Sequence, residues 1–283
     1  MIALTEFAPA KINLALHILG RRADGFHEID SIVAFADVGD ELRFEPASEF
    51  TIIAAGPFAN DLPAPENNII FAAWKAAAAI AAARGLNLPP AAVKLTKNLP
   101  IAAGIGGGSA DAAAALRGFL WMAEIKMIDA EIARAALTLG ADVPACLSSR
   151  ACRMQGIGER LTALDDFKAL HAVLINPLIA VQTSNVFQKL GLAASENRGT
   201  SIAHLSTAAA WRNDLMASAV TLVPVIADVI AALEKQQHLR FARMSGSGAT
   251  CFGVFESAAA ARNAAGRLAV SFPRWWVRQS VLH

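Results

Sequence analysis

The stretch NLPIAAGIGGGSADAAAAL, residues Asn98–Leu116, places four glycines within five positions, at 104, 106, 107 and 108, and continues directly into alanine-rich sequence. Glycines permit positive φ and a close approach of the backbone to a ligand, so that successive amide N–H groups form a concave nest for an anion. The helix predicted from about Ser109 to Ala123 adds N–H donors and the positive end of its dipole. The stretch therefore predicts a phosphate-binding loop; the alternative is a flexible turn before a well-capped helix.

Two common glycine motifs do not fit this stretch. A P-loop has the pattern G-x-x-x-x-G-K-[ST], whereas Ser109 and Ala110 follow Gly108 and no lysine stands there. The dinucleotide motif G-x-G-x-x-G fails because it needs a glycine at position 109. The loop has no lysine of its own, so a cation that offsets the charge of a bound phosphate chain would have to come from elsewhere in the sequence.

The composition of the 283-residue chain is that of a globular protein, with 55% hydrophobic and 17% charged residues. The net charge of +1 argues against a dedicated nucleic-acid surface. Three cysteines without zinc-like spacing indicate a reducing compartment. No stretch has the pattern of a signal peptide or a membrane-spanning helix, so we expect a soluble, cytoplasmic protein without a membrane partner. The sequence leaves monomer and homodimer open.

The order of predicted elements indicates two α+β domains, residues 1–155 and 156–283. In KINLALHI, residues 12, 14, 16 and 18 are apolar and share one strand face, opposite Lys11, Asn13, Ala15 and His17. IDSIVAFADV and DELRFEP are predicted as two further strands, and Asn67–Arg84 and Asp129–Leu139 as helices. Strands then alternate with helical segments, among them TLVPVIADVIAALEKQ, which predicts a second α+β domain.

Several motifs in the same order resemble those of one family. PIAAGIGGGSADAAAA is similar to the phosphate-binding motif P-x-x-x-G-[LI]-G-G-G-S-[SA]-[DN]-A-A of the GHMP kinases, named for galactokinase, homoserine kinase, mevalonate kinase and phosphomevalonate kinase. PAKINLALHILGRRADGFHEI, LGADVPACL and GSGATCF extend the resemblance from about Ala8 to Phe255. The resemblance implies a two-domain α+β GHMP kinase fold: an N-terminal domain like domain 2 of ribosomal protein S5, and a ferredoxin-like C-terminal domain.

The flanking motifs most resemble family members that act on a cytidyl substrate. They imply transfer of the γ-phosphate of ATP, with Mg²⁺, to the 2-hydroxyl of CDP-methylerythritol, in the non-mevalonate route to isoprenoids. The protein ligand of the metal is not identified, and Ser109 is a candidate. The ATP-binding residues that the resemblance implies are Asn68, Pro100, Ile101, Ala102, Ala103, Gly104, Ile105, Gly106, Gly107, Gly108, Ser109 and Ala110. For Asn68, capping of a helix start is an equally good interpretation.

Two residues carry the chemistry that the resemblance implies. Asp142, in LGADVP, is expected to act as the general base that takes the proton of the attacking hydroxyl; its alternative is a helix N-cap. Lys11 is expected to keep Asp142 ionised and to stabilise charge in the transition state. Its alternative is a solvated strand face, the usual position of a single lysine.

The substrate-binding residues follow from the same resemblance. Two aromatic rings are expected to stack on cytosine, a histidine to bind the edge of the base, and Asn13 to contact the region of the substrate hydroxyl. The predicted set is Asn13, Phe26, His27, Thr183, Phe187, Gly246, Ser247 and Gly248. The family usually has tyrosine where Phe26 stands, so stacking survives and the hydroxyl contact does not. For His27 the alternative is a structural role, which is more common for a lone histidine. For the turn at 246–248 the alternative is a plain hairpin.

Two other functions remain open at this point. One is a GHMP kinase for homoserine or mevalonate, which would not need a cytosine site. The other is a catalytically silent protein that binds a nucleotide or RNA on the S5-like fold. The balanced charge and the presence of both Lys11 and Asp142 argue against the second.

Overall fold

The computed structural model describes residues 4–126, 129–202 and 211–283. Their contacts form two compact units that interleave along the chain. Unit 1 contains the described residues of 1–10, 39–101 and 107–149, and unit 2 contains those of 11–38, 102–106 and 150–283. Two of the crossings, at 101/102 and 106/107, fall inside the glycine stretch. The boundary at residue 155 stays a prediction.

The first two strands, β1 (Leu4–Arg21) and β2 (His27–Pro46), are long enough to contribute to both units. The predicted alternation along β1 is present, but both of its faces are buried: Lys11 is 4% exposed and His17 is 2% exposed. The solvated-face interpretation of Lys11 is therefore wrong.

The prediction of two strands between residues 29 and 46 is also wrong, because β2 runs through without a break. Tertiary partners hold its polar middle segment extended. Asp37 accepts hydrogen bonds from the hydroxyl of Ser280 (2.6 Å) and the amide of Val281 (2.9 Å). Asp40 is fully buried and ion-paired.

Unit 1 combines a small sheet with alanine-rich helices. Strand β4 (Ala91–Thr96) pairs antiparallel with the second half of β2 and parallel with β3 (Thr51–Ala55). The helices are α1 (Ile69–Ala83), α2 (Gly107–Met122), α3 (Ala130–Leu139) and α4 (Val143–Ser148). Alanines 112–115 of α2 are all fully buried. A Cβ on Gly118 would clash with the ring of Phe44, so α2 approaches the sheet closely.

Helix starts agree with the sequence signals. Asn68 caps α1, since its Oδ1 accepts a hydrogen bond from the amide of Ile70 (3.0 Å). Asp129 caps α3 in the same way. The capping interpretation of Asn68 is therefore confirmed, while its contact with a nucleotide stays a prediction.

Unit 2 has the ferredoxin-like topology. Its strands are β7 (Leu170–Asn176), β8 (Leu239–Met244), β9 (Cys251–Phe255) and β10 (Trp276–Leu282), preceded by the hairpin β5 (Cys152–Gly156) and β6 (Arg160–Ala163). The helices are α5 (Thr183–Leu190), α6 (Met216–Leu222), α7 (Val225–Glu234) and α8 (Ala258–Ser271). The spatial order β10-β7-β9-β8, antiparallel throughout, gives the β-α-β-β-α-β arrangement.

One predicted helix of unit 2 is two helices. Helix α6 ends at Leu222 and α7 begins after Pro224, whose ring and missing N–H do not fit a helix interior. Within the three described ranges, no helix combines the length and the apolar character needed to cross a membrane.

Candidate active site

The glycine loop in unit 2 is held by its carbonyl groups. The carbonyls of residues 102, 103, 104 and 105 all accept hydrogen bonds; in that order the donors are Val181 N (3.2 Å), Thr250 N (3.1 Å), Ser245 Oγ (3.0 Å) and Lys11 N (2.9 Å). None of the hydrogen bonds described for unit 2 has an amide of residues 103–106 as its donor. In a planar trans peptide the C=O and N–H point in opposite directions, so anchored carbonyls turn the amides to the opposite side.

The backbone angles of the loop are those of an anion nest. Ala102, Gly104 and Gly106 have positive φ values of 49°, 72° and 62°, and the residues between them do not. Alternation of left- and right-handed conformations points successive N–H groups into one concavity. The loop thus presents amides to an anion, as the glycine density predicted.

A second glycine turn, Ser245–Thr250, connects β8 and β9 and lies against this loop. A Cβ on Gly104 would lie 2.6 Å from the carbonyl oxygens of Ser245 and Gly248. A Cβ on Gly246 would lie 2.6 Å from the carbonyl oxygen of Gly104. The two turns can therefore pack only without side chains at these positions. The turn is a hairpin connection, and it is also part of the support of the loop.

The side chain of Lys11 runs along the same loop. A Cβ on Gly106 would lie 3.2 Å from Cβ and 3.4 Å from Cε of Lys11. The stem of this buried lysine is thus in contact with the nest, and the predicted cation lies beside the predicted phosphate site.

Asn13, two residues along β1, has a side chain whose orientation the chain itself fixes. Its Nδ2 donates to Ser31 Oγ (2.8 Å), and that hydroxyl donates to the carbonyl of Ala15 (2.6 Å). Because the Ser31 proton is used on Ala15, the atom of Asn13 that faces Ser31 must be the amide nitrogen. Asn13 Oδ1 is left buried and has no hydrogen-bond partner among the described residues. An unpartnered buried acceptor fits a ligand hydroxyl.

Four of the predicted substrate-binding residues of unit 2 are also brought together in pairs. Thr183 and Ser247 share a hydrogen bond between their hydroxyls (2.9 Å). The rings of His27 and Phe187 lie 4.4 Å apart at 32°. Burial, with the nearby charge of Arg21, lowers the pKa of His27, so its ring is neutral at pH 7. Its buried Nε2 has no partner within the described ranges, which again fits a polar ligand.

Phe26 is 55% exposed, and its amide donates to Asp24 Oδ1 (3.2 Å). Its ring is thus presented at the surface of the turn that precedes His27. An aromatic face that solvent reaches is available for stacking on a base.

In unit 1 the start of α2 lies beside a buried lysine that sequence reasoning missed. A Cβ on Gly107 would lie 3.5 Å from Lys97 Nζ. This ammonium donates to Asp40 Oδ2 and to Asp111 Oδ2, both at 2.5 Å. The alternation of β4 carried the signal, because Val93 and Leu95 are buried and Lys97 continues their face. A lysine on a buried face needs a counter-charge.

The two carboxylates around Lys97 differ. Asp40 Oδ1 also accepts the amides of Asn98 (2.6 Å) and Leu99 (2.9 Å), at the entry to the glycine stretch. Asp111 Oδ1 is buried without a partner in the described part of the chain. Burial, with the charge of Asp40, raises the pKa of Asp111 to about 8 although Lys97 opposes the rise. Burial lowers the pKa of Lys97, but Asp111 and Asp40 outweigh it and raise that pKa overall.

The raised pKa of Asp111 predicts a pH dependence of stability. Since the folded chain holds a proton that the unfolded chain releases above its ordinary pKa of 3.8, the free energy of unfolding falls as pH rises from about 4 through 8. The limit for one proton is about 1.4 kcal/mol per pH unit. Asp111→Asn should flatten this fall in urea unfolding at pH 5, 6.5 and 8. Asp165→Asn, at a carboxylate whose side chain is 78% exposed, should keep the wild-type slope. An unchanged slope in Asp111→Asn would contradict the assignment.

Asp142 occupies the N-cap position of α4, but its side chain makes no capping hydrogen bond to that helix in the described structure. Capping therefore does not account for this aspartate. The turn before it lies beside α2: a Cβ on Gly140 would lie 3.9 Å from Ser109 Oγ and 3.4 Å from Val143. Asp142 and the helix start that follows the nest thus belong to one neighbourhood of unit 1.

Arg117 fixes α4 against α2. Its Nη1 donates to the carbonyls of Cys146 (3.0 Å) and Leu147 (3.3 Å), and its Nε donates to Glu6 (2.7 Å). Carbonyls in the last turn of a helix lack intrahelical partners, so the guanidinium satisfies them. This contact holds in place the short helix that begins directly after Asp142.

The other predicted ATP-binding residues around the loop differ in how closely the chain packs around them. Ala110 is buried in the first turn of α2, and Pro100 and Ile101 lead into the loop. A Cβ on Gly108 would meet nothing within 4 Å among the described atoms, so packing does not require glycine there. The open space lies at the N-terminal end of α2, where a phosphate is favoured.

The comparisons with known proteins agree with this chemistry. The model of the GHMP kinases N terminal domain matches residues 68–150, and that of the GHMP kinases C terminal domain matches residues 192–273. Together they cover more than half of the chain. The chain belongs to the GHMP kinase family, and the predicted two-domain α+β fold of that family is confirmed.

Relatives along the whole length carry one name. The chain is 47% identical over 290 residues to 4-diphosphocytidyl-2-C-methyl-D-erythritol kinase of Roseobacter denitrificans, covering 98% of this chain and 92% of the relative. It is 42% identical to the protein of that name from Paramagnetospirillum magneticum, over 100% and 99% of the two chains.

Among solved structures, a kinase named for the same substrate as these relatives is more similar to this chain than a homoserine kinase is. A crystal structure of 4-(cytidine 5'-diphospho)-2C-methyl-D-erythritol kinase has a TM-score of 0.79 and 31% identity, covering 98% of this chain and 99% of the other. A homoserine kinase from Cytophaga hutchinsonii has a TM-score of 0.70 at 18% identity, covering 99% and 94%, which shows the shared fold alone.

Proposed function

We propose that this chain is a kinase that phosphorylates the 2-hydroxyl of 4-diphosphocytidyl-2-C-methyl-D-erythritol with ATP, giving the 2-phosphate and ADP for isoprenoid precursors. The observation that carries the proposal is the 47% identity, along almost the whole chain, to a relative of that name. The carbonyl-anchored nest supports the ATP half of the reaction, and the buried polar atoms Asn13 Oδ1 and His27 Nε2, which have no partner among the described residues, support a polar substrate. We further propose that the protein acts in the cytoplasm and that its domains are residues 1–155 and 156–283.

The phosphate chain of ATP is proposed to bind the amides of residues 103–108, with residues 100–102, Ala110 and Asn68 around the nucleotide. Amides at a helix start stabilise negative charge without a side-chain cation. Mg²⁺, when bound, neutralises charge on the phosphates; it is proposed to be held largely by phosphate and water oxygens, with Ser109 as the candidate protein ligand. No group of three or more His, Cys, Asp or Glu residues suited to a metal is present among the described residues.

The chemical step is proposed to use two side chains. Asp142 accepts the proton of the 2-hydroxyl while the hydroxyl oxygen forms a bond to the γ-phosphorus. The bond from that phosphorus to the β–γ bridging oxygen breaks, and ADP leaves with the electron pair. The ammonium of Lys11 offsets the charge that develops on the transferred group.

The cytidyl end is proposed to bind on the elements that carry His27 and Phe187. Phe26 and Phe187 provide aromatic faces, and each stacked base contributes about 1–3 kcal/mol. The neutral ring of His27 offers a lone pair or a proton to the edge of the base, depending on its tautomer. Thr183 and the turn at Gly246, Ser247 and Gly248 complete the proposed set.

The substrate assignment is tested by measuring ADP release with each candidate alcohol in turn. We expect turnover with the cytidyl substrate and at most about 1% of that rate with homoserine or mevalonate, because a site built around base contacts loses most binding energy without the base. Turnover with homoserine or mevalonate and none with the cytidyl substrate would show that the chain is a different GHMP kinase.

A further inference from the structure

We propose that Ser245 is a positioning residue of the phosphoryl-transfer site, and that its one hydroxyl joins the strand of Lys11 and Asn13 to the glycine loop. The inference rests on the proposed function, because it assigns a role in that reaction. Ser245 opens the segment SGSGAT, in which the sequence assigned roles only to Gly246, Ser247 and Gly248. The proposal rests entirely on hydrogen bonds and packing within unit 2.

All polar groups of Ser245 are used in defined bonds. Its side chain is fully buried; Oγ accepts the amide proton of Asn13 (3.0 Å) and donates to the carbonyl of Gly104 (3.0 Å). Its amide donates to the carbonyl of Thr250 (2.9 Å), and its carbonyl accepts from the amide of Gly248 (3.0 Å). The backbone of Ser245 thus holds its own turn, while the side chain reaches two other segments.

The chemistry requires a hydroxyl at this position. A hydroxyl donates one hydrogen bond and accepts others, so it satisfies an N–H and a C=O at once. Alanine would leave the amide of Asn13 and the carbonyl of Gly104 buried without partners, which is costly on both sides. A carboxamide or a carboxylate is too large for a fully buried site that touches glycines.

The bond to Asn13 sets where β1 lies along the loop. The amides of Lys11 and Asn13, two residues apart, point to the same edge of the strand. One binds the carbonyl of Ile105 (2.9 Å) and the other binds Ser245 Oγ. Along this edge the loop and Ser245 thus take the place of a neighbouring strand, and two bonds fix the register.

That register matters because the loop and Lys11 are in contact. The Lys11 stem has little space beside Gly106, with 3.4 Å from Cε to a notional Cβ. A small slip of β1 against the loop would move the ammonium relative to the amides that receive the phosphate. Misplacement of about 1 Å costs on the order of 10²-fold in rate when the ground-state contacts survive.

The matched control is Ser280, another fully buried serine of unit 2. Its Oγ donates to Asp37 Oδ1 (2.6 Å), with Val281 O as a longer second acceptor at 3.3 Å, outside the glycine turns. Ser280→Ala removes a buried hydroxyl just as Ser245→Ala does. Alanine is smaller than serine, so neither variant introduces a clash.

The test compares Ser245→Ala, Ser245→Thr and Ser280→Ala in kcat, the KM of each substrate and melting temperature. We expect Ser245→Ala to lower kcat by about 10- to 100-fold and to change each KM by less than about 3-fold, since the loss falls on the transition state. Ser245→Thr, which restores the hydroxyl, should recover most of kcat. Ser280→Ala should lower the melting temperature comparably and keep kcat within about 2-fold of wild type.

Two outcomes would overturn the proposal: equal losses of kcat in Ser245→Ala and Ser280→Ala, or a Ser245→Ala variant with wild-type kcat. The kcat of each variant is divided by the kcat of wild type, and both are measured with whichever alcohol the wild type phosphorylates. A wrong substrate assignment would appear in the wild type alone and would leave this comparison intact.

Discussion

Replacing Asp142 with asparagine should lower kcat by about 10²–10⁴-fold while the Kd of ATP stays within about threefold, the signature of a lost general base. Asparagine keeps the shape of the side chain and removes its ability to take a proton. Asp142 stands at the N-cap position of α4, and its side chain makes no capping hydrogen bond to that helix in the described structure, so loss of a helix cap would not explain a fall in kcat. Single-turnover phosphate transfer and binding of a fluorescent ATP analogue measure the two quantities separately.

The control for that experiment is Asp129→Asn. Asp129 is the N-cap of α3, where asparagine caps as well as aspartate does, so activity should be unchanged. If Asp142→Asn keeps wild-type turnover, another group takes the proton. If it loses ATP affinity in parallel with kcat, Asp142 acts in nucleotide binding instead.

The glycine stretch shows how far the sequence alone reaches. Its glycine density and the helix that follows predicted an anion site, and the structure shows alternating φ and an amide-presenting loop. The density did not distinguish the roles of single glycines. Gly104 is required by packing against Ser245 and Gly248, whereas a side chain at Gly108 would meet no described atom within 4 Å. That difference depends on a turn 140 residues further along the chain, which no local pattern contains.

For the strands, the sequence pattern predicted the secondary structure but not which side chains are buried. Alternation predicted β1 correctly but left a solvated polar face open as the alternative for Lys11, because a single strand does not reveal what covers each side. Lys11 and Asn13 lie on a buried face since the glycine loop and Ser245 pack along their edge. In the same way β2 stays extended through Asp37 and Asp40 because groups far along the chain donate hydrogen bonds to their carboxylates.

The sequence predicted one lysine beside the glycine loop, Lys11. The structure shows a second lysine, Lys97, beside Gly107. In unit 2 the stem of Lys11 touches Gly106, and in unit 1 the ammonium of Lys97 lies 3.5 Å from a notional Cβ on Gly107. The two lysines differ in electrostatic setting. Lys97 lies between Asp40 and Asp111, and because the raised pKa of Asp111 keeps most of that side chain protonated at pH 7, the carboxylate of Asp40 supplies most of the counter-charge. Its first role is therefore to make the burial of the Asp40 carboxylate possible.

Replacing Lys97 with methionine should lower the free energy of unfolding by about 3–5 kcal/mol, because it leaves the buried carboxylate of Asp40 without its counter-charge. The cost falls mainly on Asp40, which also holds the amides of Asn98 and Leu99 at the entry to the glycine stretch. Lys94→Met is the matched control: Lys94 lies on β4, three residues before Lys97, pairs with Glu45 and is half exposed, so its loss should cost at most about 1 kcal/mol. Urea unfolding at pH 7 measures both variants. Equal losses of unfolding free energy in the two variants would contradict this prediction. They would mean that the contacts of Lys97 with Asp40 and Asp111 contribute no more than the surface pair of Lys94 and Glu45.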